Sequence, residues 1–153
     1  TLEPQLSCPQ GVDNVYPISE VLGTPMDEVY IGSCTNGSLE DLKAAADILR
    51  GKKVANHVRV IVVPATNTVF KEAIEKGYIK DFIEAGCVIS HPCCGLCCGM
   101  PYGLMYDDER ILLTANRNFI GRQGTKKTLG YLSSPAVAAA TALTGVVTDP
   151  RTL

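Results

Sequence analysis

Tryptophan is absent from this 153-residue chain, and three Phe with six Tyr make up its whole aromatic content of 6%. That scarcity removes the stacking platforms on which single-stranded nucleic acid is bound. An excess of one charge is lacking too. Fourteen Lys and Arg stand against sixteen Asp and Glu, a net charge of −2, and the basic residues are scattered rather than striped. Neither nucleic acid nor an anionic membrane is an expected partner of such a surface. No apolar run approaches the roughly 18–20 residues that span a bilayer. The amino end, Thr1-Leu2-Glu3-Pro4, has neither an initiator Met nor a signal-peptide pattern, which fits a fragment boundary.

What the chain does have is aliphatic bulk and cysteine. Hydrophobic residues make up 46% of it and charged residues 20%, enough for one α/β domain over residues 1–153 with a core of its own. Seven cysteines is an odd number, and Cys93, Cys94, Cys97 and Cys98 are too crowded for a simple disulfide framework. Clustered thiols in an aliphatic chain of this size point to a reducing compartment, the cytoplasm, and to a metal.

Taken in order, residues 1–27 read as irregular, broken by Pro4, Pro9, Gly11, Pro17, Gly23 and Pro25, with Cys8 as a packed or surface thiol. Glu28 to Ser33 predicts a strand, and Leu39 to Leu49 an amphipathic helix stopped at Gly51 and capped by Asn36 or Ser38, with Asp41 in a loose capping box. Cys34 falls on the turn between them, where a helix amino end favours a thiolate. The β-branched run Val58–Val63, ended by Pro64, predicts a strand covered on both faces. Helices follow at about Val69–Lys76 and Ile79–Ala85, then a short strand at Cys87–Ser90 that runs straight into the cysteine loop. A fourth strand is expected at Ile111–Ala115, and a helix at Ala136–Thr144 with Ser134 as N-cap and Pro135 at its first position. The alternation predicts a three-layer α/β/α domain with a mainly parallel sheet. Both cysteine stations then lie at carboxyl ends of strands, where open α/β sheets build their sites.

The loop His91-Pro92-Cys93-Cys94-Gly95-Leu96-Cys97-Cys98-Gly99 supports several chemistries. Cys94 and Cys97 form a C-x₂-C pair, and Gly95 between them exposes backbone N–H groups to bound sulfur. With Cys34 they supply three thiolates for an iron–sulfur cluster, and an iron left open by a three-ligand set acts as a Lewis acid. His91 would instead complete a Cys₃His zinc site. A redox C-x-x-C leaves Cys34 unused, and a fourth cluster thiolate from Cys93 or Cys98 is hindered by its vicinal neighbour. Arg117 and Arg122, beyond the fourth strand, suit bidentate carboxylate binding, although loop arginines also serve as plain surface charges.

Three motifs in order, Ile31-Gly32-Ser33-Cys34-Thr35-Asn36-Gly37, then Pro92-x-Cys94-Gly95-x-Cys97-x-Gly99, then Asn116-Arg117-Asn118-Phe119-x-Gly121-Arg122, resemble the aconitase superfamily. Within it they are similar to the cluster-carrying third domain of the isopropylmalate dehydratase and homoaconitase large subunits. The likeness covers nearly the whole chain. It implies a [4Fe–4S] cluster with one open iron on Cys34, Cys94 and Cys97, in an environment that includes Gly95 and Asn36. It implies carboxylate binding by Arg117 and Arg122 and a hydrogen bond from Asn116 near the cluster. The implied reaction is dehydration and rehydration of a 2- or 3-hydroxy di- or tricarboxylic acid, in one branch a step of leucine biosynthesis. No catalytic base is expected on this domain: the resemblance puts the base on missing domains, and a serine and further arginines on a swivelling domain that is a separate small subunit in the isopropylmalate enzymes. The isolated piece is accordingly expected to be inactive. Cys93, Cys98 and Met100 depart from the family's common residues, which leaves the substrate open, a dimethylmalate-like acid included. In apo protein residues 91–106 are the expected site of mobility or disulfide change.

Overall fold

The computed structural model describes residues 2–99 and 103–153. Its elements are β1 (Gln5–Ser7), β2 (Val15–Pro17), α1 (Ile18–Val21), β3 (Glu28–Gly32), α2 (Leu39–Leu49), β4 (Arg59–Val63), α3 (Asn67–Glu75), α4 (Tyr78–Ala85), β5 (Val88–Ile89), β6 (Arg110–Leu113), β7 (Leu129–Leu132) and α5 (Pro135–Thr144). One seven-stranded sheet joins them in the order β2-β1-β7-β6-β3-β4-β5. The five strands from β7 to β5 are parallel, and β1 and β2 close one edge antiparallel. The mainly parallel α/β sheet expected from the sequence is therefore present.

Local chemistry accounts for the helix limits. Ser38 caps α2, its side chain accepting from the Asp41 N–H at 3.2 Å while the Asp41 carboxylate accepts from the Ser38 N–H at 3.1 Å, so the box is complete. Thr66 and Ser134 cap α3 and α5 by accepting from the Val69 and Val137 N–H groups, with no reciprocal bond among the described residues, and Pro135 occupies the first helical turn of α5.

Alternation along the strands sorts the core into two faces. Val29, Ile31, Val60, Val62 and Leu112 point one way and are buried under helix residues such as Leu42, Phe82 and Val137. Tyr30, Ile61, Val63, Ile111 and Leu113 point the other way and are buried with Leu96 and Met105. The second layer is thin: the short 3-10 turn Gly95–Cys98 and the chain about Met105 cover that face among the described residues. Full burial of Leu96 contributes about 1.5–3 kcal/mol toward holding the cysteine loop on the sheet.

The amino-terminal stretch is more ordered than its Pro and Gly content suggests. β1, β2 and α1 lie within it because the sheet edge supplies their hydrogen bonds, with Gln5, Leu6 and Ser7 facing Pro17, Tyr16 and Val15. β7, with Gly130 in its interior, likewise forms through its register with β6. The strand expected at 87–90 shrinks to two residues at the sheet edge.

Glu28 opens β3 fully buried, with one carboxylate oxygen on Arg59 Nε at 2.9 Å and Oε1 without a partner among the described residues. Burial raises its carboxyl to about 7, against the lowering pull of Arg59. A carboxyl raised on folding favours the folded state below its unfolded value near 4.5, and that advantage is lost as pH climbs through 7. Wild-type stability relative to Glu28→Gln should therefore fall by about 1–3 kcal/mol between pH 5 and pH 8. Urea denaturation of both proteins across that range checks it, and a flat difference would show that Glu28 stays ionised throughout.

Candidate functional site

Strand order locates the site before any side chain does. The chain runs from β3 outward through β4 to β5, then returns to the far side of β3 for β6 and β7. The order reverses between β3 and β6, and a crevice opens at the carboxyl ends of strands at such a reversal. Residues 34–37 leave β3 there and residues 114–118 leave β6. The loop from β5 comes back across the Tyr30 face of the sheet, where Leu96 anchors it.

The turn after β3 is forced by two consecutive positive φ values, +103° at Gly32 and +139° at the buried Ser33. The second is strained for a residue with a side chain, and such strain persists only where its surroundings enforce it. Here the Ser33 N–H donates to the Val63 carbonyl at 3.1 Å, and its hydroxyl accepts from the Asn36 N–H at 3.2 Å. Cys34 is thereby turned outward and exposed. The amino end of α2 begins five residues later, at Leu39, and is already capped by Ser38 with Asp41, so the cysteine's close neighbour is not the helix but Cys94.

Cys34 and Cys94 meet across sixty positions of sequence. The neighbouring Cys34 side chain, first through its thiol and then its charge, raises Cys94 above the ordinary thiol value, with the charge on Cys98 next. Cys97 lies half-buried in the 3-10 turn, its carbonyl receiving Arg122 Nε at 2.5 Å. Gly95 fits under this turn because no side chain could: a Cβ there would stand 2.3 Å from Tyr30 Oη. The Tyr30 hydroxyl donates to the Cys94 carbonyl at 3.4 Å, and burial, reinforced by Cys93 and Cys97, pushes its pKa up.

The remaining cysteines are occupied elsewhere. Cys98 Sγ donates to the Gly95 carbonyl at 3.3 Å, and Cys93 Sγ lies 3.9 Å from Ser90 Oγ. Cys8 and Cys87 are buried, and burial pushes Cys87 up to about 12, out of reach of thiolate chemistry near neutrality. All seven are free thiols. Within 91–106, where change was expected in apo protein, residues 100–102 lie outside the described residues. The His91 ring packs edge-on against Phe70 at 5.8 Å, already engaged on the helix side.

The third stretch is tied to the first. Asn36 Nδ2 donates to the Thr114 carbonyl and to Asn116 Oδ1 at 2.8 Å, and Asn116 Nδ2 returns a bond to Thr35 Oγ1 at 2.7 Å. Arg117 is exposed and lies over the Phe119 ring at 5.8 Å. Arg122 is half-buried, and among the described residues nothing takes its Nη groups. The sequence reading missed Ser33, Tyr30, Thr114, Asn118 and Gln123. Ser33 and Asn118 stood within the quoted motifs without a role of their own, and Tyr30 left a signal as a polar-tipped ring on the opposite face of β3 from Val29 and Ile31.

The donor set is thiol-only and open to the crevice. Among the described residues no three His, Cys, Asp or Glu converge on one ion. A tetrahedral zinc would need sulfurs about 3.8 Å apart. An iron–sulfur cluster instead takes cysteine thiolates spread around a larger body. No helix among the described residues is long and apolar enough to cross a membrane.

A family model described as the aconitase family (aconitate hydratase) matches residues 1–145. The 3-isopropylmalate dehydratase large subunit 1 of Archaeoglobus fulgidus is 54% identical over 150 residues, 98% of this chain and 36% of its own length. The 3-isopropylmalate dehydratase large subunits of Saccharolobus solfataricus (49% over 152 residues) and Clostridium botulinum (51% over 151 residues) each match 99% of this chain with 36% of their own length. The chain thus spans little more than a third of these curated relatives.

Proposed function

The chain belongs to the aconitase family, and from that premise we propose that it is the cluster-binding domain of a longer hydro-lyase subunit of the 3-isopropylmalate dehydratase kind. In this reading Cys34, Cys94 and Cys97 hold a [4Fe–4S] cluster, with Gly95 and Asn36 beside it. When bound, the cluster supplies an iron with an open position, a Lewis acid toward the substrate hydroxyl. The observation that carries the reading is the junction at the switch point: Cys34 against Cys94, and Arg122 Nε on the carbonyl of Cys97. Anion-binding and metal-binding groups are locked into one structure there.

This chain's own part is binding and orientation. Arg122 spends Nε on the cysteine loop and keeps its Nη edge for a carboxylate, while Arg117, exposed over Phe119, takes a second. Asn116, held by Asn36 and Thr35, faces the substrate with a fixed amide. The base that removes the substrate's carbon-bound proton belongs to the remaining large-subunit domains, and a small swivelling subunit closes the site. The substrate class is a hydroxy di- or tricarboxylic acid, and the compartment is the reducing cytoplasm, where clustered thiols stay reduced.

The test is anaerobic reconstitution of the full-length protein with iron and sulfide, followed by metal analysis and EPR of the reduced form. About four irons per chain, and a signal shifted by 3-isopropylmalate, are expected. Tight zinc binding with no uptake of sulfide would sink the proposal. The 153-residue piece alone should bind iron yet turn over nothing.

A further inference from the structure

Two buried amides lie beneath the arginine-bearing turn, and neither belongs to the metal site. In the stretch 116–121 every residue but Asn118 is exposed, whereas Asn118 is 2% exposed and Gln123, just beyond, is also 2% exposed. Each directly follows an arginine: Asn118 follows Arg117, and Gln123 follows Arg122.

Asn118 ties the turn to two strands. Its Nδ2 donates to the Cys8 carbonyl at 2.9 Å, to the Gly130 carbonyl at 3.0 Å and to Ser7 Oγ at 3.3 Å. These partners belong to β1, the residue that follows it, and β7, so one amide joins the antiparallel edge to the parallel sheet. Gln123 braces the turn from within. Its Nε2 donates to the Arg117 carbonyl at 2.9 Å, and its own carbonyl accepts from the Met105 N–H at 2.9 Å. The Arg122 N–H closes the turn on the Phe119 carbonyl at 3.0 Å. The Arg117 carbonyl is thus held by Gln123, and each arginine is followed in the chain by a buried amide anchored elsewhere in the fold, a costly use of buried amides unless the geometry above them matters. Asn118 Oδ1, buried without a partner among the described residues, is part of that cost.

We propose that Asn118 and Gln123 are positioning residues that set where Arg117 and Arg122 meet the carboxylates of the substrate. The proposal rests on the hydro-lyase reading for its ligand, but its geometry stands apart from the cysteines. Gln123 acts through the carbonyl of Arg117. Asn118 acts through the carbonyls of Cys8 and Gly130.

Gln123→Met in the full-length protein with its partner subunit is the decisive variant, because it strands one carbonyl only. Asn118→Leu strands two, and is read only if it folds. With 3-isopropylmalate as the probe, Gln123→Met should raise KM roughly tenfold and leave kcat within about twofold, as loss of uniform binding does. Iron content and the EPR signal of the substrate-free reduced cluster should match wild type, while amides 117–122 exchange hydrogen faster. An unchanged KM overturns the inference. So does a parallel fall in iron content, kcat and kcat/KM, which would mark Gln123 as plain scaffolding. If the wild-type protein takes up cluster but binds no hydroxy acid, the hydro-lyase reading has failed first, and the proposed role fails with it.

Discussion

Serine at position 34, 94 or 97 should empty the iron centre: reconstituted iron falls from about four per chain to less than one, and activity of the assembled enzyme falls with it. Serine at 8, 87, 93 or 98 should leave iron content within about a fifth of wild type. The division follows from where each thiol points. Cys34 and Cys94 are close enough for the Cys34 thiol to shift Cys94, and Cys97 is carried one turn further on by the 3-10 segment that Arg122 holds. Cys98 turns back on Gly95, Cys93 faces Ser90, and Cys8 and Cys87 are buried away from the rim. Vicinal cysteines sharpen the test, because Cys93→Ser and Cys94→Ser alter adjacent atoms of one loop. Retention of iron in the first and loss in the second would exclude a general loosening of the loop. An indispensable Cys93 or Cys98 would overturn the ligand assignment and favour a four-thiolate site with no open position.

Much of this was legible in the sequence, and the illegible part has a pattern. Strands with dense β-branched residues, and helices with a cap at one end and glycine at the other, fall where local propensity puts them. Ser38 with Asp41 and Ser134 with Pro135 are examples. Cys34 and the loop after β5 were placed correctly at carboxyl ends of strands, since a βαβ alternation leaves few other places for them. What local reasoning could not reach was decided by pairing. β1, β2 and β7 are strands because a neighbour supplies their hydrogen bonds, and Gly130 within β7 hides the pattern. The reversal of strand order between β3 and β6 is equally invisible to a pass along the chain. Yet it explains why Asn36 meets Asn116, eighty residues away. Asn118 and Gln123 read as loop polars because exposure is a tertiary property. Only the folded structure shows that Asn118 and Gln123, five residues apart in a turn otherwise exposed or half-buried, are turned inward.

Gly32→Ala should be among the most damaging single-methyl changes in the chain, because the end of β3 has no room for a side chain. A Cβ at Gly32 would stand 2.0 Å from the Val63 carbonyl oxygen and 2.9 Å from its carbon. Both are backbone atoms of the neighbouring strand, so no rotamer can give way. The same Val63 oxygen receives the Ser33 N–H at 3.1 Å, and Thr114 Oγ1 receives the Gly32 N–H at 2.7 Å, so relief would break the bonds that aim Cys34. With φ at +103° the substitution is also strained in itself. A loss of about 4 kcal/mol or more follows, against a total stability of about 5–15 kcal/mol for a domain. The control is Gly23→Ala: φ is +78° there, nothing lies within 4 Å of the added methyl, and about 1–2 kcal/mol of backbone strain is the whole effect. Denaturation midpoints of the two variants, measured side by side, decide the matter. Collapse at 32 with mild loss at 23 would show that the β3–β4 contact is as close as described and that Cys34 is set by backbone, not by its own side chain. Equal midpoints would mean that the strands part easily there, and the fixed presentation of Cys34 would have to be abandoned.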